Sequence, residues 1–310
     1  MMEKRPWLVY VMIAFATSSW GSAFIAGNFA TRDFEPTTVA FLRFFFAALI
    51  LIPLMFVMQK NLKLPNVKEW LLLSSLGLTG IALYNIMFFI ATKEAPIVKS
   101  SLFIASNPVL IILLSAIFLK EKITKRNVVG LILALAGASL IITEGQWAEV
   151  VRAGFEPIDI VLFIAVICWA LYSVLGKVAL QRFSALESTT YAVSIGTLML
   201  MPLALMEISW TQLSEANLLT WGSILHMSII VSVVSFIMYY QGIKIIGAGK
   251  ASIFINLMPL SAVIMAVIIL GEPLLPIHII GAVFVLIGVT YGTRKSKKVQ
   301  PQPVIDNKSS

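Results

Sequence analysis

The chain has 310 residues, of which 59% are hydrophobic and 12% are charged, and it carries a formal net charge of +8 at pH 7. Soluble domains contain about 25% charged residues, so the charged fraction is too small for a water-soluble surface. The charges lie between long apolar runs, which is typical of membrane spans and their loops. A single cysteine, Cys168, and two histidines exclude an intrachain disulfide and a structural zinc cluster.

Ten apolar segments are each long enough, at roughly 20 residues, to cross a bilayer as a helix. The first follows Met1–Arg5 directly and is too long for a signal peptide, so it is predicted to be retained. In chain order the predicted spans are 8–28, 37–58, 69–91, 96–119, 126–143, 158–180, 186–206, 219–243, 248–270 and 276–293. The chain is therefore predicted to be an all-α integral membrane protein.

Lysine and arginine are concentrated in alternate loops. The opposite loops are acidic: segment 144–159 contains four acidic residues and one arginine, and segment 207–218 contains two acidic residues and no base. The positive-inside rule places both termini in the cytoplasm, as an even number of spans also requires. We expect a multi-pass protein of the cell membrane whose basic loops meet anionic lipid headgroups rather than nucleic acid. The polar tail, 294–310, is predicted to be cytoplasmic and disordered.

The two halves of the chain repeat each other. Trp20 and Trp169 are 149 positions apart, and the offset becomes 151 after a two-residue insertion. The matching pairs are Trp20/Trp169, Gly27/Gly176, Pro53/Pro202, Trp70/Trp221, Lys93/Lys244, Lys99/Lys250, Pro108/Pro259, Glu121/Glu272, Gly130/Gly281 and Gly137/Gly288. The predicted organisation is a five-helix repeat in 1–143, an extracytoplasmic loop in 144–157, a second repeat in 158–293 and the tail. Because five is odd, the second repeat is inverted in the membrane, as in many secondary transporters.

Several motifs are similar to those of a known transporter family. The most specific is a glutamate thirteen positions after a mid-span proline, which occurs once in each half. The motifs are Trp20-Gly21-Ser22-Ala23-Phe24, Phe41-Leu42-Arg43-Phe44, Asn107-Pro108 with Leu119-Lys120-Glu121-Lys122, and Met258-Pro259 with Leu270-Gly271-Glu272-Pro273. Over residues 7–293 the chain resembles the drug/metabolite transporter superfamily, in particular its EamA-type ten-helix members.

The resemblance implies a central cavity lined by both halves and export of amino acids or other small metabolites. The alternative is export of toxic hydrophobic or cationic compounds, as in the four-helix relatives. Those relatives use an acid in their first helix, and this chain has none between Arg5 and Asp33. No nucleotide-binding loop and no intramembrane cluster of catalytic residues occurs, so we expect neither an enzyme nor a cofactor or metal. Substrate identity, direction, ion coupling and the choice between monomer and homodimer remain open.

Arg43 lies about six residues into its span, roughly 9 Å deep. Two interpretations carry equal weight: an arginine that reaches back to the interface, and a contact for a carboxylate or other anion. His226 could carry protons but more often such a residue is a packing group.

Pro108 and Pro259 are predicted to kink their spans and to leave a backbone carbonyl free for a ligand. Glu121 and Glu272 end the fourth helix of each half and are predicted to be structural or gating residues, with a helix N-terminus of the same half as partner. Polar and aromatic residues around these points form the predicted substrate cavity. They are Trp20, Arg43, Tyr84, Asn85, Phe88, Ser106, Asn107, Trp169, Tyr172, Tyr239 and Asn256.

Small residues mark one face of the fifth and tenth spans. Gly130, Ala134 and Gly137 are mirrored by Gly281 and Gly288. Such faces allow close approach of helices in a membrane. We expect these two spans to pack together or to form a dimer face.

Overall fold

A computed structural model describes residues 6–59, 64–94 and 97–294, which contain ten long apolar helices. In chain order these are α1 (Trp7–Ala30), α2 (Pro36–Met58), α3 (Val67–Phe88), α4 (Ser100–Phe118), α5 (Lys125–Thr143), α6 (Pro157–Ala179), α7 (Ala185–Glu207), α8 (Leu218–Ile246), α9 (Ala248–Ile269) and α10 (Pro276–Thr293). The predicted ten spans are confirmed, with boundaries that differ by a few residues. The tail beyond Arg294 and the side chains of Lys93 and Lys99 lie outside the described residues.

The helices begin where the sequence supplies an N-terminal signal. α2, α6 and α10 each begin with proline, whose missing N–H is not needed in the first turn. α3, α5 and α7 begin with capping boxes, in which the cap residue and the third helical residue bond to each other's backbone N–H. The pairs are Asn66 with Glu69, Thr124 with Asn127, and Ser184 with Glu187.

The connection between the two halves is not the simple loop that the sequence predicted. A short helix, Trp147–Ala153, occupies most of it. The connection from α7 to α8 also contains a short helix, Trp210–Glu215. Both lie in the acidic set of loops.

Contacts near the ends of the helices define two ends of the bundle. At the end that carries the start of α1, Tyr10 donates to the Thr293 carbonyl at 3.1 Å. We call this end the terminal face. At the opposite end, the distal face, the Asp33 carboxylate accepts from the Thr220 hydroxyl at 2.6 Å. The end of α10 therefore returns to the side where α1 begins, as ten crossings require.

The predicted packing of the fifth and tenth spans is confirmed by the close approach of α5 and α10. A Cβ atom on Gly130 would lie 2.3 Å from the Gly292 Cα, and one on Gly288 would lie 2.4 Å from the Ala134 nitrogen. Asn127 also donates to the Gly292 carbonyl at 2.6 Å. These contacts join the two halves of one chain through backbone-to-backbone packing that only small residues permit.

The outer surface of the helices is apolar. Leu49, Phe56, Ile132, Phe163 and Phe284 are among the exposed large hydrophobic residues. Several buried positions, by contrast, are polar, including Ser173, Ser232, Asn107 and Asn256. This distribution suits a lipid exterior and a polar interior, since polar groups in a membrane bundle face the interior.

Candidate functional site

Two helices change their winding at equivalent points of the repeat. α3 contains a π-helical segment at Gly77–Leu83, and α8 contains one at Met227–Val234, about 151 positions later. π segments redirect backbone carbonyls and are frequent at functional sites. Here Asn85 donates to the Ile81 carbonyl at 2.8 Å, and the Trp20 indole donates to the Val231 carbonyl at 3.3 Å.

α4 and α9 are also interrupted at equivalent points, next to the two prolines. In α4 the helix breaks at Ser106, and in α9 it tightens to a 3₁₀ turn at Phe254–Asn256. The sequence predicted that a carbonyl freed by Pro108 would be open to a ligand, and this prediction is wrong. The Ile104 carbonyl, which would have bonded to the residue at 108, accepts instead from the Asn107 amide at 3.0 Å.

The interruptions surround a central cavity of about 70 Å³ in the middle of the bundle. At 10–15 Å³ for each water, this space holds roughly five waters or a molecule of similar size. Helices from both halves form its wall. The lining residues are Trp20, Ala23, Phe24, Arg43, Tyr84, Asn85, Phe88, Ile104, Asn107, Trp169, Val231, Phe236, Ile255 and Met258.

Aromatic rings fix the shape of the central cavity. The rings of Trp20 and Trp169, the repeat-related pair, meet edge to face with centroids 5.2 Å apart. Tyr84 packs against Trp169 at 4.8 Å, and Tyr239 packs against Trp20 at 4.9 Å. Interlocked rings have little rotational freedom, so the wall is rigid and mostly apolar.

Arg43 is the one charged residue among those that line the central cavity. Its side chain is buried, its Nε donates to the Ser232 hydroxyl at 2.8 Å, and its guanidinium lies 4.7 Å from the centre of the Phe44 ring. The arginine therefore does not reach back to the membrane interface. Among the described residues no carboxylate forms an ion pair with it. A buried guanidinium without a counter-charge favours an anionic ligand.

Asn107 supplies the complementary group. Its amide nitrogen donates to the Ile104 carbonyl, which directs the other atom, Oδ1, away from that carbonyl. Oδ1 is buried and has no hydrogen-bond partner among the described residues. An unpaired buried acceptor costs about 1–3 kcal/mol. Arg43 and Asn107 thus line one cavity, with donors on the arginine and an unpaired, buried acceptor on the asparagine.

The structure separates the predicted cavity residues into two groups. Seven of them line the central cavity: Trp20, Arg43, Tyr84, Asn85, Phe88, Asn107 and Trp169. The other four lie behind the wall. Tyr172 and Tyr239 pack against lining aromatic rings, whereas Ser106 and Asn256 bond to carbonyls of their own helices.

The apolar part of the wall was missed by the sequence analysis. Phe24, Ile104, Val231, Phe236 and Met258 line the central cavity. In a membrane helix, apolar side chains face both lipid and protein, so hydrophobicity does not separate the two faces. Position in the repeat offers one signal, since Met258 is the counterpart of Asn107.

Two larger cavities lie at the ends of the bundle. The terminal cavity, of about 410 Å³, is lined by Glu121, Lys122, Lys177 and Lys250 among others. The distal cavity, of about 420 Å³, shares Phe24 and Met258 with the central cavity. The terminal and central cavities have no lining residue in common. Of these two end cavities, the central cavity therefore adjoins the distal one.

Glu121 closes the terminal face. Its carboxylate accepts from the backbone N–H groups of Ala248 at 3.0 Å and Gly249 at 3.1 Å. The partner is a helix N-terminus, as the sequence predicted, but it is the start of α9 in the other half of the chain. A carboxylate at this position is stabilised by the helix dipole. Glu121 thus links the two halves directly.

Glu272 is the counterpart of Glu121 at the distal face, and its situation differs. Glu272 is exposed and lines the distal cavity. Within the described ranges its carboxylate has no hydrogen bond or ion pair. The two equivalent glutamates are therefore in different states, one bound across the halves and one open.

Comparisons with known proteins agree with this architecture. The model of the EamA-like transporter family matches the chain twice, over residues 7–143 and 157–292. A Bacillus subtilis protein described as an uncharacterized transporter, YyaM, is 32% identical over 91% of this chain and 92% of its own length. A Streptantibioticus cattleyicolor protein described as a probable terminal-alkyne amino-acid exporter is 25% identical over 75% of this chain and 76% of its own.

A solved crystal structure has the same fold. It superposes with a TM-score of 0.75 at 18% identity and covers 92% of this chain and 96% of that chain. The family and these relatives are described as transporters, not as enzymes. With the family model covering both halves of the ten-helix bundle, the chain belongs to the EamA-like transporter family, a family of multi-pass membrane transporters.

Proposed function

We propose that this protein exports small carboxylates, and α-amino acids foremost, through the central cavity. The observation that carries the proposal is that Arg43 and Asn107 line the same cavity and that the Asn107 Oδ1 atom has no hydrogen-bond partner among the described residues. A guanidinium binds a carboxylate through charge-assisted hydrogen bonds. An amide oxygen accepts from an ammonium group. An α-amino acid carries both groups on one carbon, Cα.

The remaining lining supports the same substrate class. Trp20, Trp169 and Tyr84 present ring faces and edges to the space beside Arg43. Such rings accept an apolar side chain, and their faces also attract a cation. The description of the Streptantibioticus cattleyicolor relative as a probable amino-acid exporter points in the same direction. The alternative, a multidrug exporter of cations, is opposed by the positive charge of Arg43 and by the lack of an acidic residue in the lining.

The transport mechanism that we propose is alternating access between two inverted repeats, residues 1–143 and 158–293, joined by 144–157. Five spans in each half require the second half to enter from the opposite side. The terminal face carries the basic loops and is assigned to the cytoplasm of the cell. Because Glu121 bridges the two halves at the terminal face and the central cavity adjoins the distal cavity, we assign this conformation to an outward-facing state.

Glu121 and Glu272 are the proposed gating residues. In the outward-facing state Glu121 holds the N-terminus of α9, and Glu272 is released. In the inward-facing state the inverted repeat would exchange these roles. The breaks beside Pro108 and Pro259 are the proposed hinges, because each lies at the central cavity on the helix that ends at a gating glutamate.

Transport by purified protein in liposomes tests this function. Proteoliposomes are preloaded with one unlabelled amino acid, and counterflow of its radiolabelled form is measured for glycine, alanine, valine, leucine and phenylalanine, with and without a pH gradient. We expect counterflow of at least one of them above protein-free liposomes. Counterflow of none of these five, by protein that elutes as a monodisperse species, would contradict the amino-acid assignment.

A further inference from the structure

His226 lies in α8, on the same helix as Ser232, the partner of Arg43. Its Nε2 atom is 2.8 Å from the hydroxyl of Ser22 in α1. That hydroxyl lies 2.6 Å from the Ser19 carbonyl and donates its single proton there. Ser22 is therefore the acceptor of an Nε2–H group, and Nδ1 is the open acceptor of a neutral imidazole. This ring is held in one tautomer by α1 and can take up one further proton at Nδ1.

Few charged groups face His226 from the neighbouring helices. From α2 the group is Arg43, whose charge acts on the imidazole. At the end of α1 it is Asp33, which is bound to the Asn217 N–H and the Thr220 hydroxyl at the start of α8. Thr220 and Ser232, the partners of Asp33 and Arg43, are each six residues from His226, about 9 Å along the helix in either direction. Of these two charged groups, Arg43 alone is among the residues that line the central cavity, so a carboxylate bound there acts on the histidine through Arg43.

Both basic residues depart from the repeat. The counterpart of Arg43 in the second half is Ala192, and the counterpart of His226 in the first half is Ser75. The helices that carry them are equivalent scaffolds, as the matching π segments of α3 and α8 demonstrate. Each half therefore contributes one basic group to the distal half of the bundle, where Ser232 of the His226 helix binds Arg43, and the equivalent positions, Ala192 and Ser75, carry no basic group.

We propose that His226 is a proton-binding site coupled to the carboxylate that Arg43 holds. This inference rests on the proposed function, because it takes Arg43 as the anion site. With the central cavity empty, a proton on His226 adds a second positive charge near Arg43. A bound carboxylate balances Arg43, so the proton then binds more readily. By reciprocity the protonated histidine strengthens carboxylate binding.

Binding of radiolabelled acetate, the simplest carboxylate, tests the coupling in purified protein at pH 6 and pH 8. Acetate stays ionised in this range, whereas an unperturbed histidine titrates within it. We expect affinity to be about fivefold or more higher at pH 6, the lower end of typical coupling between sites. His226→Gln is expected to bind acetate with the same affinity at both pH values.

His278→Asn is the matched control, because the chain has two histidines and Asn127 is the residue found at the equivalent position of the first half. This variant is expected to keep the pH dependence of the wild type. The inference is overturned if wild-type affinity is the same at both pH values, or if His226→Gln keeps the wild-type dependence. Absence of saturable acetate binding at either pH would instead contradict the Arg43 anion site, and the coupling with it.

Discussion

The two halves of the chain agree in their scaffold and differ in their chemistry. Both have a π segment in their third span, an interruption beside a proline in their fourth, and a glycine face on their fifth. They differ at Arg43, whose counterpart in the second half is Ala192. They also differ at Glu121, whose carboxylate accepts backbone hydrogen bonds, whereas the carboxylate of Glu272 has no hydrogen-bond partner among the described residues. Shared features hold the bundle together, and departures mark ligand contacts and the conformational state. Substitutions at the two kinds of position should therefore have different effects.

The largest effect on transport is expected at Arg43. Arg43→Gln removes the charge but keeps a hydrogen-bonding group. Loss of hydrogen bonds to a charged group, at about 1.5–3 kcal/mol, corresponds to about a 10- to 100-fold loss of substrate affinity. Counterflow of labelled alanine at low concentration measures this. Arg182→Gln is the matched control, because Arg182 forms a half-exposed ion pair with Glu69 at the terminal face, and such pairs contribute little. Equal losses of counterflow in the two variants would show that removal of an arginine charge lowers transport by destabilising the protein and not by weakening substrate binding.

Next in size is the effect of crowding the shared scaffold. A Cβ atom on Gly288 would lie 2.4 Å from the Ala134 nitrogen, a backbone atom that cannot move alone. Gly288→Ala is expected to destabilise the protein by about 1–3 kcal/mol, the usual result of overpacking. Melting temperature in detergent measures it. The control is Gly222→Ala in α8, where nothing lies within 4 Å of the added atom. A Gly288→Ala variant as stable as this control would argue against close α5–α10 packing.

A smaller effect is expected at the two gating glutamates, and it should differ between them. Glu121→Gln weakens two charge-assisted bonds to Ala248 and Gly249, whereas Glu272→Gln removes no bond in this state. Glu121→Gln should open the terminal face about tenfold more often. The measurement is maleimide labelling of Ile112→Cys in a Cys168→Ser background, because Ile112 lines the terminal cavity and is buried in this state. Glu272→Gln should not increase labelling. An equal increase in the two variants would contradict the proposal that only Glu121 closes the terminal face in this state.

The smallest effect concerns the loop at the distal face. Hydrogen bonds from the Thr220 hydroxyl and the Asn217 N–H hold the pKa of Asp33 below its usual value of 3.8. The ionised carboxylate therefore stabilises the fold above pH 3.8, and this contribution is lost as the pH falls through the lower, folded-state pKa. Asp33→Asn should lose less melting temperature than the wild type between pH 6 and pH 3. An exposed acid, Glu215→Gln, is the control, and an unchanged pH dependence in Asp33→Asn would refute the contribution.

The spans and the repeat could be predicted from the sequence because their signals are local or periodic. Apolar length predicts the ten helices, and Pro108 and Pro259 predict where two of them break. What happens at a break depends on neighbours: the carbonyl of Ile104 is taken up by Asn107, which proline chemistry alone does not indicate.

The partners across the two halves could not be predicted. Glu121 binds the start of α9, and His226 meets Ser22, through the tertiary arrangement of helices far apart in the chain. Apolar lining residues such as Phe236 also carry no separate signal, since lipid-facing and cavity-facing positions are equally hydrophobic. The polar residues that line the central cavity could be predicted because polar residues are rare in membrane spans and usually face the interior of the bundle.

The position of a bound amino acid tests most directly whether Arg43 and Asn107 form the substrate site. An experimental structure of the protein with its best counterflow substrate at saturating concentration would locate both ends of the molecule. The expected result is a carboxylate within hydrogen-bonding distance of the Arg43 guanidinium and an amino group directed to the Asn107 Oδ1 atom. A substrate bound with its carboxylate away from Arg43, or bound outside the central cavity, would contradict the assignment.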